Sequence, residues 1–242
     1  MYSANGPVRS MKDWLEYGIG FLEAHQIEDA KTDAWLLMEY TANINKSYYY
    51  MNMHEPMDAG DAEDYALLIH RRAEHIPVQY LIGEAWFYGR SFRVNESVLI
   101  PRQDTEILVE EALKRIRPGM HVLDLCTGSG CMAWTVALDY PSPTVCAVDS
   151  SPDALAIARS QFDGQPSGSG LPPEWLTLDV LDSSSIPDRQ FDVILANPPY
   201  VLDSQRKDMR PNVLDWEPQS AIFVSGPVAT SSSSPSYFNA AL

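Results

Sequence analysis

Apolar positions recur at helical spacing through about the first 75 residues. Trp14, Leu15, Ile19, Phe21 and Leu22 fall near one face, and so do Ala34, Leu37, Met38 and Thr41. Ala66, Ile69 and Arg72 repeat the period within 62–73, and polar breaks at 26–28 and 55–60 separate the segments. This pattern predicts a small helical bundle. The run Tyr48-Tyr49-Tyr50 suits a contact surface, a core position or a helix-end plug equally. From Pro77 the pattern changes, and aromatic and β-branched residues at 85–87 and 91–94 flank Tyr88-Gly89-Arg90, which reads as a hairpin. Beyond it, Asp104 or Thr105 is placed to cap a helix through Ile107, Leu108, Ala112 and Leu113, ended by Pro118-Gly119.

The rest of the chain alternates. Strand-like 121–125 leads through a glycine-rich turn into a helix at 131–139, and 144–148 leads into a helix at 153–162. After a Gly-, Pro- and Ser-rich loop at 164–173, further strands are expected at 175–178 and 191–196. Strands alternating with helices predict an α/β fold of the Rossmann-like class, a parallel sheet with helices on both faces. The last residues, 225–242, carry four consecutive serines and look irregular.

Composition narrows the class. Of the residues, 45% are hydrophobic and 21% charged, so disorder over the whole length is excluded. No stretch approaches the roughly 18 to 20 apolar residues of a membrane span, and the N-terminus has no basic region followed by an apolar block. Cys126, Cys131 and Cys146 are odd in number and form no C-x-x-C pair, so neither a disulfide framework nor a metal site is expected. The reading is a soluble, reduced, cytoplasmic protein. The formal net charge is −16, with thirteen acidic and six basic residues in 1–78 and twenty and eleven in the remainder. No basic region is available to grip phosphates, which disfavours a nucleic-acid partner.

Two strings carry chemistry. Gly128-Ser129-Gly130-Cys131-Met132-Ala133 follows a strand and opens a helix, and Asp149 stands about 20 residues on, at the end of the next strand. Glycines there admit a close ligand, and the strand-end carboxylate can accept ribose hydroxyls. Asp124, just before the turn, stands where a dinucleotide site would place phosphate; a carboxylate there repels phosphate and favours a cationic group. S-adenosyl-L-methionine, which carries a sulfonium and an ammonium and no phosphate, suits the loop better than NAD. The second string, Asn197-Pro198-Pro199-Tyr200, ends a strand where ligands of open α/β sheets bind. Its prolines hold backbone carbonyls in set directions, so the Asn and Pro carbonyls can accept both hydrogens of a planar NH2 group lying against Tyr200.

Together with Ile76–Glu84, Phe87-Tyr88-Gly89, Val98-Leu99-Ile100-Pro101-Arg102 and Trp216-Glu217-Pro218, these strings resemble the peptide chain release factor N5-glutamine methyltransferases. The resemblance runs from about Met11 to Val224. It implies transfer of a methyl group from S-adenosyl-L-methionine to the glutamine side-chain nitrogen (N5) of a Gly-Gly-Gln motif in release factors. By position it implies cofactor contacts from Cys126, Thr127, Gly128, Ser129, Gly130, Asp149, Asp179, Val180 and Asn197, and a catalytic quartet of Asn197, Pro198, Pro199 and Tyr200. It implies three parts: a helical substrate-docking domain at 1–78, a β-hairpin linker at 79–101 and the methyltransferase domain at 102–242. The partner would be the release factor, with no nucleic acid or membrane, and the enzyme a monomer. Gln103-Asp104 replaces the family's Pro-Glu, and Val180 an aromatic that stacks on adenine in some members. The family also continues with a helix and a closing strand pair, so the chain reads as truncated there. Two other readings stay open at this point, an amino-group methyltransferase of nucleic acids (the N6-adenine type) and an inactive truncated chain.

Overall fold

The computed structural model describes residues 9–140, 143–162, 171–181 and 189–224; the expected irregular tail at 225–242, the N-terminal residues 1–8 and most of the loop at 164–173 lie outside them. The first helix, α1 (Met11–Ala24), starts where it does because Ser10 and Asp13 cap it reciprocally. The Ser10 hydroxyl accepts from the Asp13 N–H at 3.2 Å, and the Asp13 carboxylate accepts from the Ser10 N–H at 2.9 Å. α2 (Ala30–Ala42) stops at Asn43, whose φ of 49° is left-handed. Asp58 caps α4 (Ala59–Ala73) by accepting from the Gly60 and Asp61 N–H groups. The apolar faces of these three helices meet in one core through Trp14 and Leu22, Ala34 and Leu37, and Tyr65 and Ile69.

The tyrosine run forms a helix of its own, α3 (Lys46–Asn52), whose buried Tyr49 stands edge-on to Trp35 at 5.3 Å while Tyr48 and Tyr50 face solvent. A short α5 (Val78–Ile82) adds Val78 and Leu81 to the same core. Inside it, the Arg72 guanidinium donates to Asp33 at 2.7 Å, both side chains nearly out of water.

The hairpin pairs β1 (Glu84–Phe87) with β2 (Arg90–Arg93). Its two-residue turn has positive φ at both Tyr88 and Gly89, the geometry that matches strand twist, so Arg90 belongs to the strand and pairs with Phe87. α6 (Gln103–Arg115) starts two to three residues earlier than the capping pattern suggests. Arg102 is its cap residue and no side chain caps it, while Asp104 falls inside the first turn, where the helix dipole favours an acid.

Four parallel strands follow in the order β5-β4-β3-β6, with β3 at His121–Leu125, β4 at Thr144–Asp149, β5 at Glu174–Thr177 and β6 at Val193–Ala196. α7 (Cys131–Asp139) joins β3 to β4, and α8 (Pro152–Ser160) follows β4. One sheet face, Val122, Val145, Ala147 and Leu195, packs beneath α6 and α7. The other face departs from expectation. Leu123, Cys146 and Val148 are covered there by Leu176, Leu178, Val180 and Phe191, and no helix contributes to that cluster among the described residues.

After β6 the chain makes a strap: a 3-10 turn at Asp203–Asp208, α9 (Pro211–Trp216) and α10 (Gln219–Ile222). The strap closes on itself, since the Val201 N–H donates to the Ile222 carbonyl at 3.1 Å and the Val224 N–H to the Val201 carbonyl at 3.0 Å.

The Tyr65 hydroxyl is buried without a partner in the described structure, and a Cβ at Gly18 would meet it at 2.0 Å. Tyr65→Phe is therefore expected to raise unfolding free energy by about 1 kcal/mol, because it removes a desolvated, unpaired hydroxyl. Gly18→Ala is expected to lower it by about 1–3 kcal/mol through overpacking. Urea unfolding of the two variants checks both signs.

Candidate active site

Strand register assembles the site. Leu125, the last residue of β3, is level with Val148 of β4 on one side and Ala196 of β6 on the other, and Asp149 is level with Thr177 of β5. The next residues therefore emerge together at the carboxyl edge of the sheet: the loop from Cys126, Asp149, the segment through Asp179 and Val180, and Asn197. This is where ligands of open parallel sheets bind. Residues about 70 positions apart in the chain become neighbours by hydrogen-bond register alone.

The five loop residues do not all face the same way. Thr127 and Ser129 are 3% and 2% exposed. The Thr127 hydroxyl donates to Asp124 Oδ2 at 2.6 Å, and the Ser129 carbonyl accepts from the Gln161 side chain at 2.9 Å. Gly130 is required by packing: its φ is +78°, and a Cβ there would come within 2.9 Å of both Ala158 and Trp175. Gly128 has φ +54° and nothing within 4 Å of its Cβ position, so it leaves open space above the turn. Cys126 is half-buried with φ 57°, and burial aided by Asp149, Asp124 and Asp179 pushes its thiol up to about 12, which keeps it protonated and unreactive.

Asp124 acts otherwise than its sequence position suggested. Its side chain is sealed from water, so it cannot face a cationic ligand directly. Oδ2 accepts from Thr127 and from the Ala133 N–H at 3.1 Å in the first turn of α7, while Oδ1 has no partner among the described residues. Burial pushes this carboxyl up to about 7 despite those two hydrogen bonds. Asp124 thus occupies a donor at the helix N-terminus that a phosphate would need. Asp149 braces the loop from the other side, accepting from the Gly128 N–H at 2.8 Å and the Ser151 N–H at 2.9 Å, one bond on each oxygen. A carboxylate so used still has acceptor capacity. Asp179 is exposed, and Val180 packs in the cluster with Leu123 and Val148.

Asn197, Pro198 and Tyr200 line a cleft of about 260 Å³ together with Leu99, Arg102 and Thr105; Pro199 does not line it. Tyr200 is 75% exposed at this edge. One residue of the cleft's framework carries no signal of its own in the sequence. Glu217, noted there only as part of a Trp-Glu-Pro string, is fully buried and accepts from the Ile100 N–H at 3.1 Å and from Arg102 at 2.6 Å.

Residues 13–83 match the family described as PrmC N-terminal domain, and residues 102–214 the family described as Methyltransferase small domain. The release factor glutamine methyltransferase of Koribacter versatilis (strain Ellin345) is 36% identical over 221 residues, covering 88% of this chain and 75% of that protein. The chain belongs to the release factor glutamine methyltransferase family. Relatives of the same name from Geobacter sulfurreducens and Chlorobaculum tepidum are 32% and 33% identical. They cover 89% of this chain each, and 72% and 76% of their own lengths are matched. The cofactor is S-adenosyl-L-methionine. The edge residues fit it: the α7 N-terminus is already engaged by an acid rather than open to a pyrophosphate, Gly128 leaves room for a ligand, and Asp149 keeps lone pairs for hydroxyl donors.

The two loop glycines separate packing from binding. Gly130→Ala is expected to destabilise the fold by about 1–3 kcal/mol, through overlap with α8. Gly128→Ala is expected to weaken cofactor binding at least tenfold in calorimetric titration, with only the roughly 1–2 kcal/mol cost of a left-handed alanine in stability. Loss of binding in neither variant would remove the loop from the cofactor site.

Asp124 also predicts a pH dependence. In the fold it keeps its proton to about pH 7, whereas its ordinary value is 3.8, so between about pH 4 and 7 the folded state binds the extra proton. Rising pH then favours unfolding across that window and has no further effect above it. The unfolding free energy of the wild type minus that of Asp124→Asn should fall from pH 4 to 7 and level off. A difference that does not change with pH would place an ionised carboxylate in the core.

Proposed function

We propose that this chain transfers the methyl group of S-adenosyl-L-methionine to the side-chain nitrogen (N5) of the glutamine in the Gly-Gly-Gln motif of peptide chain release factors. The observation that carries the proposal is the β3–β6 register, which sets Asn197 beside the Cys126 loop at one sheet edge. The cofactor, when bound, supplies an electrophilic methyl on a sulfonium. Cys126, Thr127, Gly128, Ser129 and Gly130 would cradle it, the buried members through backbone atoms. Asp149 would take its ribose hydroxyls, and Asp179 and Val180 would lie by its adenine, with Asn197 touching it at the acceptor side.

The remaining chemistry belongs to the acceptor. An amide nitrogen is a weak nucleophile, because its lone pair is delocalised into the carbonyl. Asn197 and the Pro198 carbonyl would accept its two hydrogens and fix its plane, while Tyr200 would shield one face. Pro199 holds the turn rigid without touching the cleft. Fixing the nitrogen in an attacking pose replaces translational and rotational freedom that a free amide would have to lose at the moment of reaction. Acceptors on its hydrogens also stabilise the positive charge that the nitrogen gains as the new bond forms.

The helical part, 1–78, would dock the release factor, and the hairpin at 79–101 would hold it against the methyltransferase part at 102–242. Its acidic balance suits a protein surface that works against RNA and is itself basic, a pairing that speeds encounter. The enzyme would work as a monomer in the cytoplasm, on protein rather than nucleic acid.

Tritiated S-adenosyl-L-methionine should label release factor in the presence of this chain. Asn197→Ala should lower the rate at least about a hundredfold, by analogy with loss of one preorganised polar group. Cofactor affinity should change far less. Label retained on a release factor whose Gly-Gly-Gln has become Gly-Gly-Ala would refute the assigned acceptor.

A further inference from the structure

The strap that follows β6 returns to its starting point, with Val201 bonded to Ile222 and Val224. Between those ends its residues do two things at adjacent positions. Trp216 packs on the core of the helical unit, and its indole N–H donates to the Glu74 carbonyl at 3.3 Å. Arg210 makes a second link to that unit, pairing with Glu28 at 2.8 Å. Glu217, the next residue after Trp216, turns the opposite way and takes the Ile100 N–H and the Arg102 guanidinium.

A fully buried carboxylate is a poor device for stability alone, because desolvation offsets most of what its partners return and a packed apolar side chain does as well. What it provides is direction. Two donors two residues apart on the segment before α6 must both point at one fixed group. That segment supplies Leu99 and Arg102 to the cleft that Asn197, Pro198 and Tyr200 also line. The strap itself adds Val213 and Ile222.

We propose that Glu217 is a positioning residue for methyl transfer: through Ile100 and Arg102 it fixes the Leu99–Arg102 part of the lining that Asn197 and Tyr200 share in the acceptor cleft. The proposal rests on reading that cleft as the acceptor site. Glu217 touches no substrate itself. Because Trp216 is its chain neighbour, the seat of the helical unit and the shape of the cleft are set by consecutive residues of one strap.

Glu217→Gln keeps the shape and one acceptor while removing the charge. Its kcat toward release factor is expected to fall roughly ten- to a hundredfold, the scale of a misplacement of about 1 Å. KM for release factor and Kd for cofactor are expected to stay within about threefold of wild type, because docking and the cofactor loop are untouched. A rise in KM with kcat unchanged, or no change in either, overturns the proposal. Should Glu217→Gln not fold, Arg102→Lys reads the same split, since lysine keeps the charge but loses the planar guanidinium that donates to Glu217. Hydrogen exchange separates this proposal from the reaction itself. Wild type that labels no release factor overturns the proposed reaction, while the clasp is still judged by amide exchange. Faster exchange at Ile100 in Glu217→Gln supports positioning, and unchanged exchange there overturns it.

Discussion

A carboxyl group with no water around it holds the cofactor edge together. Asp124 belongs to β3, yet its Oδ2 takes one donor from the turn and one from the first turn of α7. Strand, turn and helix are therefore tied at a single atom. The turn needs this because Cys126, a non-glycine residue, is held at φ 57° between strand and loop. Such a path persists only when its surroundings over-determine it. Asp149 constrains the same turn from β4 through the Gly128 N–H. An open, rigid surface at Gly128 is the result of two carboxyl groups pulling the turn inward on either side of it.

The second constraint is the joining of the helical unit to that edge. Among the described residues, few side-chain bonds join them. The Tyr80 hydroxyl donates to the Val98 carbonyl at 2.6 Å, and Trp216 reaches Glu74. The hairpin is tied to the sheet side, with Arg90 paired to Asp139 and Gln161 bonded both ways to the Arg93 backbone. If the helical unit docks the release factor as proposed, these contacts would help hold its distance from the cleft.

Much of this was legible in the residues. Period-3.6 apolar spacing gave the helices α1, α2 and α4, and the βαβ alternation gave all four parallel strands within about two residues. What was missed has physical causes. α3 was hidden because its three tyrosines carry no period until Trp35, from another helix, makes one of them core. Arg90 was read as turn because two positive-φ residues suffice, and Tyr88 gives no sign that it adopts one. Asp124 was read as facing ligand because burial cannot be seen in a string, and the same string serves a capping acid equally well. Glu217 was legible only as a family pattern, since its partners lie 115 and 117 residues away. Register, by contrast, was readable in outcome though not in detail: any parallel sheet brings its carboxyl ends to one edge.

The cleft's charge bears on the proposed reaction. Its ionisable lining consists of Arg102, already bonded to Glu217, and Asp104, held in the first turn of α6, with Tyr200 at its rim. A nucleophile that must be deprotonated before attack needs an adjacent base, as serine needs histidine. None of the residues named as the quartet is such a base. In the proposed reaction an amide nitrogen, its hydrogens held by carbonyl acceptors, would attack the methyl first and release a proton to solvent afterwards. Under the proposed function, carbonyl acceptors, a rigid double proline and an aromatic face would suit a planar nitrogen acceptor. Positioning would then supply much of the rate, and the buried bonds behind the cleft lining would matter as much as the groups that touch the substrate.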